Sequence, residues 1–176
     1  MSKGWNDNTC TDPTIPQWHF SITNYKYRPH YLTPGCNWLH RSGDIDINPN
    51  DMYMLSSVYD NDGYKSYVND VLDDEYLAPT PGATIDLPGS LRFGSYDGGV
   101  WEQNDIRYPY KGVMYKAVII NDVLTSTEIS EIYNSYGENL NDYDISALYQ
   151  FDYGSGNILY DYSGNDNHGT IYGATW

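Results

Sequence analysis

Turn chemistry punctuates this chain at short intervals, and that punctuation limits what it can fold into. Asp60-Asn61-Asp62-Gly63 stands between two strand-like runs, residues 52–59 and 64–68. Asp and Asn bond their own backbone and tolerate left-handed conformations, while Gly supplies positive φ at no steric cost. Such a tetrapeptide between strand-like runs marks a hairpin. Asn69-Asp70 reads as a second turn, weaker because no glycine supplies positive φ. Further strand patterns cover residues 17–24, 25–32, 44–48, 90–96, 112–121, 145–151 and 168–176. Gly154-Ser155-Gly156-Asn157 and Ser163-Gly164-Asn165-Asp166-Asn167 make turns near the end. Regular short strands of this kind predict an all-β, antiparallel β-sandwich, here as a single domain over 1–176.

One short helix interrupts the pattern near 126–136. Thr125 or Ser126 can cap it, and with Thr125 as N-cap, Glu128 completes a capping box. Ile129, Ile132 and Tyr133 share a face, and Gly137 ends the helix.

The core of such a sheet protein has an unusual material here, with 20 Tyr against 3 Phe. A tyrosine ring suits half-buried sheet faces, provided its hydroxyl finds a partner. The formal net charge is −15. That field repels phosphate backbones and anionic lipid, so neither nucleic acid nor membrane insertion is expected. No run approaches the ~18 apolar residues of a spanning helix. No apolar segment of a signal peptide follows Met1, so an extracellular or virion-associated setting would need another route. Cys10 and Cys36 are compatible with one disulfide or two free thiols.

The C-terminal segment 147–176 carries Phe151-Asp152, Gly154-Ser155-Gly156, Asp161, Ser163-Gly164-Asn165, Asn167-His168-Gly169 and Gly173-Ala174-Thr175-Trp176. It resembles the opening of a laminin-G-like domain of the concanavalin A-like lectin/glucanase superfamily. Residues 52–136 resemble the closing half of that family, with its central hairpin, its last strand and its terminal helix. The family's front therefore stands behind its back. A circular permutation, joined through residues 138–144, explains this, as does a fragment of a tandem array. Permutation is preferred, because the array would leave 154–176 unpaired unless sheet edges pair between copies in a homo-oligomer. The resemblance implies a concanavalin A-like jelly roll and a lectin-like, non-catalytic glycan-binding module. Residues 1–51 match it least.

Sugars offer apolar C–H faces and many hydroxyls, so their sites combine aromatic platforms with polar and charged side chains. Trp18, Tyr25, Tyr27, Arg28, His30 and Trp38 cluster in the divergent N-terminal region, and Trp101 adjoins Glu102, Gln103 and Asn104. Together they are the candidate ligand site, against the alternative that each simply packs. The resemblance also implies a calcium ion, with Asp152, Asp161 and Asn165 as ligands; turn stabilisation is the competing role for the same residues. His19, His30, His40 and His168 have no zinc-like spacing along the chain. A structural or adhesion module is the second functional reading, and a polysaccharide-cleaving glycosidase or lyase the third. Glycosidases need two carboxylates, about 5 Å apart in the retaining type. Asp44 and Asp46 are the pair at strand spacing, and the family's spaced glutamates are missing.

Overall fold

The structure, a computed structural model, describes residues 2–3, 18–33, 37–60, 62–77, 91–94, 96–97, 106–107 and 109–175. They fall into two compact units, Met1–Lys111 and Gly112–Trp176. The first holds ten strands: β1 (Ser2–Lys3), β2 (Trp18–Thr23), β3 (Lys26–Thr33), β4 (Asn37–His40), β5 (Leu55–Asp60), β6 (Gly63–Val68), β7 (Val71–Leu77), β8 (Leu91–Arg92), β9 (Tyr96–Asp97) and β10 (Ile106–Arg107). Five form a sheet in the order β4-β3-β2-β1-β8, three form β5-β6-β7, and β9 pairs with β10. Every pairing is antiparallel.

Turn residues set these registers. Asp60 Oδ1 accepts from the N–H groups of Asp62 and Gly63, at 2.8 and 3.0 Å, and closes the β5–β6 turn. Asn69 takes φ 58° at the β6–β7 turn and so does the work of the missing glycine. Between β2 and β3, Asn24 and Tyr25 both have positive φ, at 51° and 61°. Two such residues give the turn whose twist matches paired strands.

Alternation along β3 buries Tyr27, Pro29 and Tyr31 on one face. Against that face lies the three-stranded sheet. The Tyr31 ring stacks on Tyr59 at 4.7 Å between centroids and lies 5.3 Å from Tyr64. Its hydroxyl donates to Ser57 Oγ at 2.7 Å, which meets the polar need of a buried tyrosine. Leu39, Trp18, Phe20 and Tyr76 complete this cluster, and Tyr27, Ile47 and Val68 form a second one beside it. Each fully buried large side chain of this kind is worth about 1.5–3 kcal/mol. The alternating run at 44–48 is less regular than a strand. Only Asp46 bridges to Lys26, because the Ile45 N–H turns instead to Asp73 Oδ1 at 2.7 Å.

The second unit contains β11 (Lys116–Ile120), α1 (Ser126–Asn134), β12 (Ile145–Gln150), β13 (Ile158–Leu159) and β14 (Gly169–Thr170). β11 pairs with β12 and β13 with β14, both antiparallel. The helix begins as its residues require: Thr125 accepts from Glu128 N–H while the Glu128 carboxylate accepts from Thr125 N–H. Ile129 and Ile132 are its buried residues. At its end, Gly137 takes φ 69°, and Lys116 Nζ donates to the carbonyls of Tyr136 and Gly137. Both carbonyls lie just beyond the helix, whose C-cap is Ser135. The described residues are thus mostly strands in several antiparallel sheets with one short helix, as the turn pattern predicts.

Candidate functional site

If β3 turns its odd-numbered residues into the core, its even-numbered ones occupy the opposite face of the sheet. The β2–β3 hairpin sets His19 opposite His30, Ser21 opposite Arg28 and Thr23 opposite Lys26. The β3–β4 pairing sets His30 opposite His40. Directly opposed residues share a face. Ser2 of β1 stands opposite both His19 and Arg92, which carries the same row on to β8. The row therefore runs Arg92, Ser2, His19, His30, His40 across all five strands.

The composition of this sheet departs from that of the chain. The protein has 24 Asp and Glu residues, and not one lies in β1, β2, β3, β4 or β8. The same strands hold Lys3, Lys26, Arg28 and Arg92 with three of the four histidines. The three-stranded sheet, by contrast, carries Asp60, Asp73, Asp74 and Glu75.

The imidazoles lie one against the next. His19 and His30 have ring centroids 3.8 Å apart with planes inclined by 20°, and His30 and His40 stand at 5.1 Å and 23°. Burial, reinforced by the Arg28 charge and the neighbouring rings, lowers the His19 pKa to about 4 and the His30 pKa to about 3. Burial and Arg28 also lower that of His40. The rings are consequently neutral at pH 7, each with one donor and one acceptor nitrogen. Ser21 Oγ lies 3.4 Å from His30 Nε2 and donates to the Arg28 carbonyl at 3.2 Å. Arg28 Nε and His40 Nδ1 are buried and have no hydrogen-bond partner among the described residues. Lys26 is committed elsewhere, to Asp46 at 2.9 Å and the Asp44 carbonyl at 2.6 Å. What results is a half-buried face of imidazole edges, hydroxyls and the Arg28 guanidinium, with Arg92 in the same row.

No family model, no curated protein and no solved structure matches the chain.

The expected ligand residues divide over this framework. Arg28 and His30 lie on the polar face. Tyr25 sits at the β2–β3 turn, 62 % exposed, beside the end of that face. Trp38 stands in β4 opposite Leu32. Trp18 joins the tyrosine cluster on the core side, where it stacks with Phe20 at 5.1 Å. Tyr27 is a correction: it is 1 % exposed and fills the core, so no ligand can reach it. Trp101 lies outside the described residues, as do Cys10 and Cys36. His19, His40, Ser21 and Arg92 belong to the face and are absent from the sequence-derived set. Their signal was available in the hairpin: a turn at Asn24-Tyr25 aligns the alternating residues of both strands.

Asp44 and Asp46, the pair at strand spacing, both meet Lys26. Asp46 is tied to Lys26, and the Asp44 carbonyl accepts from the same ammonium.

Of the calcium candidates, Asp161 is a buried hub. Its Oδ1 accepts from Leu148 N–H and Ser163 N–H, both at 2.9 Å. Its Oδ2 accepts from Ser163 Oγ at 2.8 Å and Asn167 N–H at 3.0 Å. A carboxylate has about four lone-pair directions, and all are used, so a cation does not fit there. Burial pushes this carboxyl up, but the bonds from Leu148, Ser163 and Asn167 outweigh it and hold the pKa below its usual value. Asn165 Nδ2 donates to the carbonyls of Ile145 and Ser146, at 2.9 and 3.2 Å. Asp152 is exposed. Among the described residues, no three His, Cys, Asp or Glu side chains are placed to hold a metal ion.

Proposed function

We propose that this protein is a non-catalytic glycan-recognition module, a circularly permuted jelly roll of the laminin-G-like, concanavalin A-like type. It binds its ligand on the outer face of the five-stranded sheet. The observation that carries the reading is the cross-strand row of His19, His30 and His40 beside Arg28 and Ser21 on a sheet free of acidic residues. The imidazoles stack on one another and so offer a sugar their edges, not their flat faces. Hydroxyl, imidazole and guanidinium groups suit its oxygens. The direct pairing of β11 with β12, on either side of the helix and the 138–144 join, is what a permuted domain needs where its old termini meet.

Calcium has no assigned part in this binding, since Asp161 already spends its carboxylate on the turn. A glycan array, probed with calcium and with chelator, tests the reading. Saturable binding to a defined group of glycans, lost in Arg28→Gln, is the expected result. Absence of binding to every glycan contradicts it and favours the structural or adhesion module.

A further inference from the structure

We propose that the outer face of the β13–β14 hairpin is a docking surface for a basic polypeptide, an extended segment rich in Lys and Arg. It lies in the second unit and is independent of the glycan reading, which concerns the five-stranded sheet of the first.

Alternation builds the surface. Leu159 and Asp161 turn inward and are buried, while Ile158 and Tyr162 are exposed with Tyr160 half-buried between them. Ile158 stands opposite Thr170, and the Ile171 N–H donates to the Asn157 carbonyl at 2.9 Å, so Tyr172 continues the outward row of the second strand. The Tyr160 ring meets His168 edge-on at 5.4 Å and Tyr153 at 5.3 Å, which ties both strands and the preceding turn into one patch. Tyr153, Tyr162 and Tyr172 are 58, 49 and 83 % exposed, so their rings face solvent. Asp152 precedes Tyr153, and Asp166 Oδ1 lies 3.9 Å from His168 Nε2; both acids are exposed. A contiguous exposed patch of large side chains marks an interaction surface.

Charge selects the partner. All 9 Lys and Arg residues of the chain lie at or before Lys116, so residues 117–176 hold none, against 9 Asp and Glu. Lys116 itself is spent on Glu138 and on the carbonyls of Tyr136 and Gly137. The rings therefore have no cation of their own unit to stack with, and the field around them is negative. Arg and Lys are attracted to the face of a tyrosine ring and, in the same place, to Asp152 and Asp166. The shape favours an extended chain over a small cation. The open row from Ile158 to Tyr162 spans about 13 Å, and an extended peptide repeats its side chains on one side every ~7 Å, the pitch of this row. A neutral sugar would meet the same rings but gain nothing from the missing cations. Nucleic acid and anionic membranes are repelled.

The test uses the intact chain at neutral pH and about 0.15 M salt, where exposed charges more than a Debye length apart are screened. A nona-arginine peptide is the probe, with a nonaserine peptide and dextran as uncharged controls. The expected result is saturable binding of nona-arginine alone. In NMR it should shift the imidazole C–H signals of His168 and leave those of His19, His30 and His40 unmoved. Because any polycation is drawn to an acidic chain, the deciding variants remove rings and leave charge unchanged. Tyr162→Ser combined with Tyr172→Ser should weaken binding at least tenfold. Tyr136→Ser, at a ring 78 % exposed outside this hairpin, should leave it as it was. If the double variant does not fold, Tyr172→Ser alone is the substitute, with at least a threefold loss expected. Undiminished binding in a folded ring variant, an equal loss in Tyr136→Ser, or an unmoved His168 overturns the proposal, since charge alone is then being read. Dextran that shifts His168 overturns the basic partner in favour of a sugar at this face. No binding of nona-arginine overturns it too and leaves the glycan reading untouched, because that reading concerns the sheet histidines.

Discussion

His19 and His30 lie face to face across two antiparallel strands, ring centroids 3.8 Å apart. Both fold with pKa values lowered from 6.5, to about 4 and about 3, chiefly by burial. The unfolded chain therefore binds more protons than the folded one between those values and 6.5. Their contribution to stability is present in full above pH 6.5 and is lost as the pH falls towards the folded values. His19 alone is worth on the order of 2 kcal/mol after allowance for partial exposure. Melting temperature measured from pH 7.5 to 4 should fall, and it should fall less in His19→Gln. Parallel curves for the two proteins would show that the stack does not resist protonation.

Gly43 and Asp73 make a tight contact in the first unit. A Cβ built on Gly43 would lie 1.6 Å from Asp73 Oδ2. The Asp73 carboxyl is buried, which raises its pKa, and its Oδ1 accepts from Ile45 N–H at 2.7 Å. Gly43→Ala should cost about 2–4 kcal/mol in urea unfolding, since the Asp73 carboxylate must move. Asp73→Ala should cost about 1–3 kcal/mol through the abandoned N–H. The double variant should cost clearly less than the sum, because the clash disappears with the carboxylate. Strict additivity would mean that the two residues are not in contact.

In the second unit, Asp161 closes its turn with four accepted hydrogen bonds. Asp161→Ala should destabilise by about 3–5 kcal/mol, a cost in the range of a lost buried network. Chelator should leave the melting temperature of the parent protein unchanged within a degree or so. A marked drop on chelation would mean that a cation shares the carboxylate. Because the folded pKa is lowered, the stability Asp161 supplies is present above the ordinary carboxylate range and is lost as the pH falls through its folded value.

Thr125→Ala removes one half of the capping box on α1. About 1 kcal/mol should be lost, read as a lower midpoint in urea. Thr125→Ser, which keeps the acceptor oxygen, should restore most of it. If Ala and Ser behave alike, the cap contributes nothing.

Local chemistry was the legible part of this sequence. The Asp60 turn, the Thr125–Glu128 box and the Gly137 stop each depend on residues a few positions apart, and each folds as its residue types require. Asn69 shows where a local rule needs care, because asparagine reaches positive φ without a glycine. The candidate site was only partly legible, for a nonlocal reason. His19, His30 and His40 have no meaningful spacing along the chain and meet only through the registers of β2, β3 and β4. Counting positions linearly, as a zinc motif demands, conceals them. Tyr27 misled in the opposite way: an aromatic in a polar neighbourhood of sequence lies on the core side of a strand whose next residue, Arg28, lies on the other.

The proposal that a glycan binds the five-stranded sheet can be tested directly, because the protein has 4 histidines, three on one face of that sheet and His168 in the second unit. His168 packs edge-on against Tyr160, with centroids 5.4 Å apart. Titration of the intact chain with an oligosaccharide selected on the glycan array, followed through the four imidazole C–H signals by NMR, separates the two places. Saturable shifts of His19, His30 and His40, with His168 unmoved, are expected. Saturable binding that shifts His168 alone, or none of the four, would contradict recognition through the five-stranded sheet.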